Sequence, residues 1–326
     1  MKPFEDIVER LGRAKSILAV THARPDGDGL GSIAALARAA RAAGKRAAVL
    51  VPDKVPQRYA FLFGDDAPAP VGRFTALADE ADAVVIVDTC SLSQLDDIAP
   101  HLEAFRAKTA VIDHHATRDD IGAARWTDTS AAAAGVMVLE LLRTLKWPLD
   151  AACVEALATA VTTDTGWLRF SNTDSRCLRA MADLVDAGLT PDKLYARIFQ
   201  TDRPERIRLM QRMLASLELH RGGRLAVMAI RRADFAASGA FQDETENLVN
   251  EALRIGSVEA SVLLVETDGP LRASLRSRET IDVAAVAAQF GGGGHARAAG
   301  VRVSEGLDAF KVRLIAAFER EFAKAR

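Results

Sequence analysis

The chain has 326 residues, 49% of them hydrophobic, which is enough for a full core and favours two domains over one. Its formal net charge of −2 argues against a protein that grips long nucleic acid through many phosphate contacts. No apolar run is long enough to cross a membrane, and three distant cysteines without a Cys-x-x-Cys pair argue against a disulfide framework or a zinc ribbon. We therefore expect a cytoplasmic protein with reduced thiols.

The first predicted strand, residues 16–21, runs into a loop that carries His22, Asp26 and Asp28. One imidazole and two carboxylates form a mixed nitrogen and oxygen donor set, which suits a divalent cation. Either aspartate could instead only cap the helix that follows. That helix is predicted from about residue 33 to residue 43, with Ser32 as its N-cap.

Glycines at positions 27, 29 and 31 punctuate this loop, where they would allow positive φ and close approach of the backbone. Their G-x-G-x-G spacing matches neither the dinucleotide-binding fingerprint nor a P-loop. The loop is therefore not predicted to cradle a dinucleotide or a nucleoside triphosphate.

Three more apolar runs predict strands, at residues 46–51, at residues 82–88 and at residues 108–115. The second of these three ends at Asp88, and the third ends in Asp113, His114 and His115. In an open α/β sheet, ligands bind beyond the carboxyl ends of the strands, which is where these polar groups lie. Alone, an Asp-His-His turn on the surface is an equally good interpretation, but the repetition at several strand ends favours a site.

Two helices are predicted next, over about residues 130–146 and 150–162, and Asp164 ends the second. Carboxylates crowded into one crevice repel each other unless cations neutralise them. The candidate ligands suffice for two metal shells if one carboxylate bridges, with the cations roughly 3.5–4 Å apart. Because oxygen donors dominate and no cysteine is a candidate, Mn²⁺ is the first choice, with Mg²⁺, Fe²⁺ and Co²⁺ as alternatives.

The C-terminal part predicts a smaller α/β domain. Residues 190–219 are charged and then helical, residues 225–231 and 260–266 are predicted strands, and residues 241–255 and 282–290 are predicted helices. The predicted fold class is α/β, with a mostly parallel N-terminal sheet flanked by helices, a smaller C-terminal α/β domain and a cleft between them. The predicted boundaries are 1–195, 196–215 for a helical linker, and 216–326.

The most informative C-terminal stretch combines arginines with a run of four glycines, residues 291–294, that ends at His295. Such a run leaves backbone N–H groups open to an anion or a flat base, and Arg276 offers a bidentate fork to phosphate. A flexible linker is the alternative for the glycines, but a regular helix and an apolar segment flank them. Arg272, Arg278 and Arg297 could equally be solvated surface charges.

Five ordered motifs carry a family resemblance that extends over residues 17–303. They are His22-x-x-Pro25-Asp26-Gly27-Asp28, Val87-Asp88, Asp113-His114-His115, Thr163-Asp164-Thr165-Gly166, and Ser274-Leu275-Arg276-Ser277 with the glycine run and Ala298-Ala299-Gly300. The first four resemble the motifs of the DHH phosphoesterase superfamily. The fifth resembles its DHH-associated C-terminal domain.

The resemblance implies a role for each motif residue. One Mn²⁺ would be held by His22, Asp26 and Asp88, and the other by Asp28, Asp88, His114 and Asp164, with Asp88 as the bridge. His115 would face the scissile phosphate, and Asp113 would orient the motif. The residues expected to hold the substrate are Arg276, Ser274, Gly293, Gly294, His295 and Arg169.

The compact length resembles the branch of nano-RNases and pAp phosphatases. This implies hydrolysis of short oligoribonucleotides to mononucleotides and of 3′-phosphoadenosine 5′-phosphate (pAp) to AMP, with neither long duplexes nor membranes as partners and with a homodimer left open. Alternatives are a phosphodiesterase for linear or cyclic dinucleotides such as pApA or c-di-AMP, and a non-catalytic nucleotide-binding regulator. A pyrophosphatase fits less well, because the glycine-rich segment suits a nucleoside.

Two positions depart from the family pattern. Trp167-Leu168 stands where relatives more often have a small residue followed by an aromatic one, which could change the pocket wall. Cys90 lies two residues after the predicted bridging aspartate, and we expect it to act as a small neutral residue.

Overall fold

The structure, a computed structural model, describes residues 2–64, 66–116 and 118–324. The chain forms two compact units that divide between Thr201 and Asp202. The boundaries at residues 195 and 215 and the linker between them stay a prediction. Among the described residues, no helix has both the length and the apolar character that crossing a membrane requires.

The first unit is an α/β layered structure. Its strands are β1 (Ser16–Val20), β2 (Arg46–Leu50), β3 (Ala83–Val87), β4 (Thr109–Asp113) and β5 (Ala124–Thr127). Its α-helices are α1 (Pro3–Arg13), α2 (Gly27–Ala42), α3 (Phe74–Glu80), α4 (Ala134–Leu145), α5 (Ala151–Asp164), α6 (Ser175–Asp186) and α7 (Pro191–Phe199). Short 3-10 segments cover Gln57–Leu62, Val71–Arg73, Leu92–Gln94 and Asp96–Lys108.

The sheet of this unit has the strand order β2-β1-β3-β4-β5, and every pairing is parallel. Residues of β1, β3 and β4 are buried along their whole length, because helices cover both faces of the sheet. One apolar core contains α2, α4 and α5, and the other contains α3 and the 3-10 segment Asp96–Lys108. The parallel arrangement confirms the predicted N-terminal sheet and places the carboxyl ends of its strands at one edge.

Helix α2 begins earlier than the sequence predicts. It starts at Gly27 with Asp26 as its N-cap, so Ser32 lies inside the helix. The expectation of positive φ at the loop glycines is wrong, because these glycines are helical, but the expected close approach is confirmed. A Cβ at Gly29 would lie 2.2 Å from Thr21 Oγ1, and one at Gly31 would lie 2.4 Å from a backbone oxygen of α5.

The second unit is built on a mixed sheet. Its strands are β6 (Glu218–His220), β7 (Leu225–Ile230), β8 (Ala260–Val265), β9 (Leu271–Ser277), β10 (Gly293–His295) and β11 (Ala298–Val303). Its α-helices are α8 (Pro204–Ala215), α9 (Arg232–Ser238), α10 (Val283–Ala288) and α11 (Leu307–Lys324).

The strand order of this sheet is β10-β11-β9-β8-β7-β6, in which β7 and β8 are parallel and the other pairs are antiparallel. Helices α10 and α11 cover one face through a core that includes the buried residues of β9. Helix α8 and the 3-10 segment Leu248–Arg254 cover the β7 and β8 part of the other face.

The predicted α-helix over residues 241–255 is wrong. Two 3-10 segments, Gln242–Thr245 and Leu248–Arg254, replace it. Between them Asn247 has a φ of 63°, in the left-handed region that an α-helix cannot contain. Apolar spacing alone does not distinguish the two conformations.

Candidate metal centre

Three neighbouring strands of the first sheet run into the candidate site. His22 follows β1, Asp88 follows β3 and His114 follows β4. Because the strands are parallel neighbours, these residues lie at the same edge of the sheet. Asp28 lies in the first turn of α2, and Asp164 is the last residue of α5. The structure thus brings together side chains from four separate stretches of sequence.

Asp88 lies at the centre of the cluster. Its side chain is only 1% exposed, and its backbone has a φ of 69°, which is strained for a residue other than glycine. Its Oδ2 lies 3.4 Å from His22 Nε2, and its Oδ1 lies 3.3 Å from His114 Nε2. A single carboxylate therefore faces both histidines, one with each oxygen.

The first group of potential ligands consists of His22, Asp26 and Asp88, whose donor atoms all lie within 4.8 Å of one another. His22 Nδ1 lies 2.9 Å from the carbonyl oxygen of Ala23, so Nδ1 donates there and Nε2 faces the carboxylates. Asp26 Oδ1 lies 3.8 Å from Nε2 and also accepts backbone hydrogen bonds from the first turn of α2. Asp26 thus caps the helix and faces the site at once.

The second group consists of Asp28, His114 and Asp164, within the same 4.8 Å limit. His114 Nε2 lies 3.7 Å from Asp28 Oδ2 and 3.8 Å from Asp164 Oδ2. Since His114 Nε2 also faces Asp88, the two groups adjoin through that aspartate.

Backbone groups of residues 131–135 hold the second group in place. The amides of Ala134 and Gly135 donate to the two carboxylate oxygens of Asp28, at 2.6 and 2.8 Å. The carbonyl of Ala131 accepts from His114 Nδ1 at 3.1 Å. The sequence interpretation misses this role of the backbone, although the run of small residues at 131–135 is a signal that could have indicated it. A Cβ at Gly135 would lie 2.5 Å from an atom of α5, so only glycine allows this approach.

Two polar side chains beyond α5 support the same region, and no sequence motif marks them. Asn172 Nδ2 donates to the carbonyl of Ala132 at 2.9 Å and lies 3.4 Å from Asp164 Oδ2. Arg176 binds both oxygens of Glu140 on α4 at 2.6 Å and donates to Asp128 Oδ2 at 2.6 Å. Asp128 begins the turn that leads into the Ala131–Gly135 stretch.

Asp113 and His115 form a pair beside the cluster. The buried Asp113 Oδ1 accepts from His115 Nδ1 at 2.8 Å and from the His115 amide at 3.2 Å. His115 Nδ1 also lies 3.8 Å from Asp88 Oδ1, within a third grouping of potential ligands formed with His114. Because Asp113 is the nearer partner, it takes the Nδ1 hydrogen and leaves Nε2 available to a ligand. The His115 side chain is 42% exposed, which gives that nitrogen access.

The cluster shifts the pKa values of its members. Burial lowers the pKa of His22, but the close approach of the Asp26 and Asp88 carboxylates outweighs burial and raises the pKa to about 11. Burial lowers the pKa of His114 as well, but the nearby carboxylate of Asp88 and the other surrounding carboxylates outweigh burial and raise the pKa to about 10. Burial, reinforced by the charge of Asp88, raises the pKa of Asp28 well above its ordinary value. Burial also raises the pKa of Asp164, to about 6.

These directions show a strongly negative crevice that retains protons to offset its charge. A divalent cation supplies the same compensation. Asp88 Oδ1 and His114 Nε2 are both buried, and neither has a hydrogen-bond partner among the residues that the structure describes. Unsatisfied buried polar atoms are costly, and carboxylate oxygen and imidazole nitrogen are ordinary metal ligands. The residues present therefore fit a metal site.

The substrate-binding residues predicted for the second unit lie together on its sheet. Arg276 and Ser274 are on β9, and Gly293 and His295 are on the edge strand β10. Arg276 is half-buried, and burial lowers its pKa. Strand β11 lies between β9 and β10. One residue of β11 therefore separates Arg276 from His295, and one separates Ser274 from Gly293.

Gly294 and Arg169 complete the predicted set. Gly294 has a φ of 141°, and a Cβ there would lie 2.4 Å from the carbonyl oxygen of Ala298, so only glycine fits. Arg169 belongs to the first unit, where its Nε donates to the carbonyl of Gly166 at 2.7 Å. For all six residues, contact with a substrate stays a prediction.

The two departures from the family pattern differ in their surroundings. Trp167 has a φ of 59° and packs against Tyr195 and Phe199 of α7, with ring centroids 5.0 and 5.7 Å away. Cys90 is buried, and its Sγ donates to the carbonyl of Asp119 at 3.3 Å. Burial raises the pKa of Cys90, so it stays a neutral thiol. Neither residue belongs to the ligand groupings found in the described part of the chain.

Comparison with known proteins identifies the two units. The DHH family, N-terminal domain, matches residues 16–162, and the DHHA1 domain matches residues 222–324. The chain is 31% identical over 312 residues to the bifunctional oligoribonuclease and PAP phosphatase NrnA of Thermus thermophilus, covering 95% of this chain and 91% of the relative. The Bacillus subtilis protein of the same name is 26% identical over 308 residues, covering 91% and 92%.

Among solved structures, an exopolyphosphatase-related protein from Bacteroides fragilis superposes with a TM-score of 0.90 at 23% identity, covering 99% of this chain and 96% of that chain. At this identity the likeness establishes a shared fold. Together with the matched domains and the relative from Thermus thermophilus, it shows that the chain belongs to the DHH phosphoesterase family, as a metal-dependent phosphodiesterase or phosphatase with a DHHA1 domain after its DHH domain.

Proposed function

We propose that this enzyme hydrolyses short oligoribonucleotides to mononucleotides and pAp to AMP, using two divalent cations, with Mn²⁺ preferred. The relatives from Thermus thermophilus and Bacillus subtilis carry both activities in their names, and each aligns over more than nine-tenths of this chain. The proposal places the enzyme in the cytoplasm, with short RNA and pAp as its substrates.

The observation that carries the proposal is the position of Asp88 between two groups of potential ligands. One cation would be held by His22, Asp26 and Asp88. The other would be held by Asp28, Asp88, His114 and Asp164. Bound there, a pair of divalent cations would activate a water molecule and offset charge that develops on the phosphoryl oxygens.

The protein's own groups fix this arrangement in advance. Asp28 receives two backbone hydrogen bonds from α4, and His114 is oriented by the Ala131 carbonyl, so neither side chain needs to reorganise when a substrate binds. Asp113 holds the ring of His115 through Nδ1 and turns Nε2 outward. From that position, His115 would donate a hydrogen bond to the phosphate that reacts.

Manganese is proposed because of the donor types. Each cation would have a single histidine and otherwise carboxylate oxygens, and Cys90, two residues after Asp88, points its thiol at a backbone carbonyl. Carboxylates suit Mn²⁺ and Mg²⁺, and the added imidazole favours Mn²⁺ of the two.

The second unit would hold the part of the substrate that does not react. Arg276 offers a planar fork for a phosphate, and the exposed Gly293, Gly294 and His295 present open backbone and an imidazole on the same sheet.

Product analysis tests the proposal. Metal-stripped protein is incubated with and without Mn²⁺ on pAp, an RNA dinucleotide, a 24-mer RNA and cyclic-di-AMP. We expect Mn²⁺-dependent release of mononucleotides from pAp and the dinucleotide, with the 24-mer almost untouched. Cleavage of only the cyclic dinucleotide or only the long RNA would overturn the substrate assignment. Tight binding of pAp without turnover would instead indicate a nucleotide-binding regulator.

A further inference from the structure

One face of the second sheet carries two arginines, Arg272 and Arg302, that the proposed function does not use. On β9, Leu271, Ala273 and Leu275 are buried against α10 and α11, so the alternate residues Arg272, Ser274 and Arg276 project from the opposite face. On β11 the exposed residues of that same face are Gly300 and Arg302. We call these residues, together with Gly293 of β10, the arginine face.

The register arranges the arginine face in rows. Arg302 lies directly opposite Arg272, and Gly300 lies directly opposite Ser274. Gly293 of β10 extends the second row. The middle of the face is therefore a floor of two glycines and a serine, low enough for a sugar or a base to lie against it.

Both ends of this floor are positively charged. Arg276 stands at one end, and the Arg272–Arg302 pair stands at the other. Four residues along a strand separate Arg276 from Arg272, a distance of about 13 Å. This is further than one phosphodiester link reaches, so one phosphate cannot occupy both ends.

The Arg272–Arg302 pair is unfavourable as it stands. Like charges directly opposite on neighbouring strands destabilise a sheet. Burial, and then the charge of Arg302, lower the pKa of Arg272. The buried Nε of Arg272 has no hydrogen-bond partner within the described residues, whereas its Nη2 donates to Thr245 Oγ1. The carboxylate of Glu246 acts on Arg272 and Arg276 in the opposite direction, but it is one acid against three arginines.

We infer that Arg272 and Arg302 form a second phosphate site, which binds a phosphodiester of the substrate two or more nucleotides beyond the phosphate held at Arg276. An anion there would separate the two positive charges and supply the acceptor that Arg272 Nε lacks. This inference rests on the proposed function, because it names the part of a short RNA that the second unit recognises.

The second site distinguishes the two proposed substrates. pAp has only one phosphate besides the one that is hydrolysed, and Arg276 binds that phosphate. A pentaribonucleotide has further phosphates that reach the Arg272–Arg302 pair. The site therefore strengthens the binding of oligonucleotides relative to pAp.

Arg302→Gln is the variant for the test, because Arg302 is exposed and its removal opens no cavity. Arg302→Lys keeps the charge but loses the bidentate fork. Arg313→Gln on α11 is the matched control, since it removes an exposed arginine from the helix that covers the opposite face of the sheet. KM is measured for pAp and for a pentaribonucleotide, and the pentaribonucleotide is titrated calorimetrically in EDTA, where no turnover occurs.

We expect Arg302→Gln to raise the ratio of the pentaribonucleotide KM to the pAp KM by about tenfold and to weaken calorimetric binding by a similar factor. The salt dependence of that binding should lose about 0.7 in slope, the contribution of one phosphate contact to a single strand. The KM ratio and the calorimetric affinity of Arg302→Lys should lie between those of Arg302→Gln and those of the wild type. Both quantities should be unchanged in Arg313→Gln.

An unchanged KM ratio, or an equal rise for both substrates, would overturn the second phosphate site while leaving the proposed function intact. If the wild-type protein cleaved neither substrate, the proposed function itself would fail. The calorimetric result in EDTA would then decide separately whether the arginine face binds RNA.

Discussion

The carboxylate cluster of the first unit and the arginine face of the second unit carry opposite charge, and they differ in how the fold holds them. In the cluster, Asp28 and Asp88 are 1% exposed, and backbone amides fix both oxygens of Asp28. On the arginine face, Gly293, Gly300 and Arg302 are exposed.

This difference assigns separate kinetic consequences to the two regions. A buried cluster fixed by backbone donors has one geometry, so a change there should alter the metal shell and hence kcat. The open face is proposed to hold the parts of the substrate that do not react, so a change there should alter KM.

The largest effect is expected from Asp88→Asn, which keeps the shape of the side chain but removes the charge shared by the two ligand groups. We expect kcat on pAp to fall on the order of 10³-fold or more. The fold should survive, since removing one of several crowded carboxylates relieves repulsion. Product release is followed by chromatography, with Asp97→Asn, an exposed aspartate of the same unit, as the control. A kcat near that of the wild type would show that Asp88 does not bridge two metals.

Metal binding should stabilise the first unit. A cation present at 100 times its Kd adds about 2.7 kcal/mol to the free energy of unfolding, which corresponds to roughly 5–10 °C in Tm. Thermal unfolding is recorded in EDTA and in Mn²⁺. Asp28→Asn should lose most of this rise, whereas Arg302→Gln should keep all of it. An equal rise in both variants would locate the stabilising cation outside the cluster.

Arg276→Gln tests the other side of the comparison. The loss of one bidentate contact to phosphate should raise KM for pAp by about 30-fold, equivalent to about 2 kcal/mol, with little change in kcat. Steady-state kinetics on pAp measure both constants, and Arg313→Gln is again the control. If kcat fell as far as KM rose, Arg276 would contribute to the transition state, and the separation between the two regions would break.

The same contrast explains what the sequence could predict. An acid, a histidine or both follow the strand at three strand ends, and parallel strands bring such ends together, so the cluster is predictable from Asp88, His114 and their neighbours. The alternatives considered for Asp26, cap or ligand, turn out to be compatible, because the side chain faces both the helix and the site.

The rest depends on contacts that no sequence period encodes. The position of Arg302 opposite Arg272 follows from the register of β9 and β11, which a single strand pattern does not fix. Asn247 interrupts the predicted helix through its backbone conformation alone. The backbone donors of Ala134 and Gly135 are invisible in a list of reactive side chains, although they orient Asp28.

The smallest effect is expected from Arg176, which touches no predicted ligand but binds Glu140 and Asp128 through its whole guanidinium. Asp128 begins the turn whose later residues orient His114 and Asp28. Arg176→Gln should therefore weaken Mn²⁺ binding about fivefold, equivalent to about 1 kcal/mol, because the ligands lose part of their preorganisation.

Arg176→Lys separates positioning from charge, since lysine cannot replace the bidentate contact with Glu140 and should restore Mn²⁺ affinity only in part. Arg179→Gln, an exposed arginine on the same helix, is the control. Calorimetric Mn²⁺ titration gives the Kd, and Tm in EDTA reports stability separately. A lower Tm with an unchanged Kd would make Arg176 purely structural. Weaker Mn²⁺ binding with an unchanged KM for pAp would show that residues 128–135 preorganise the cluster. It would also show that the arginine face takes no part in this effect.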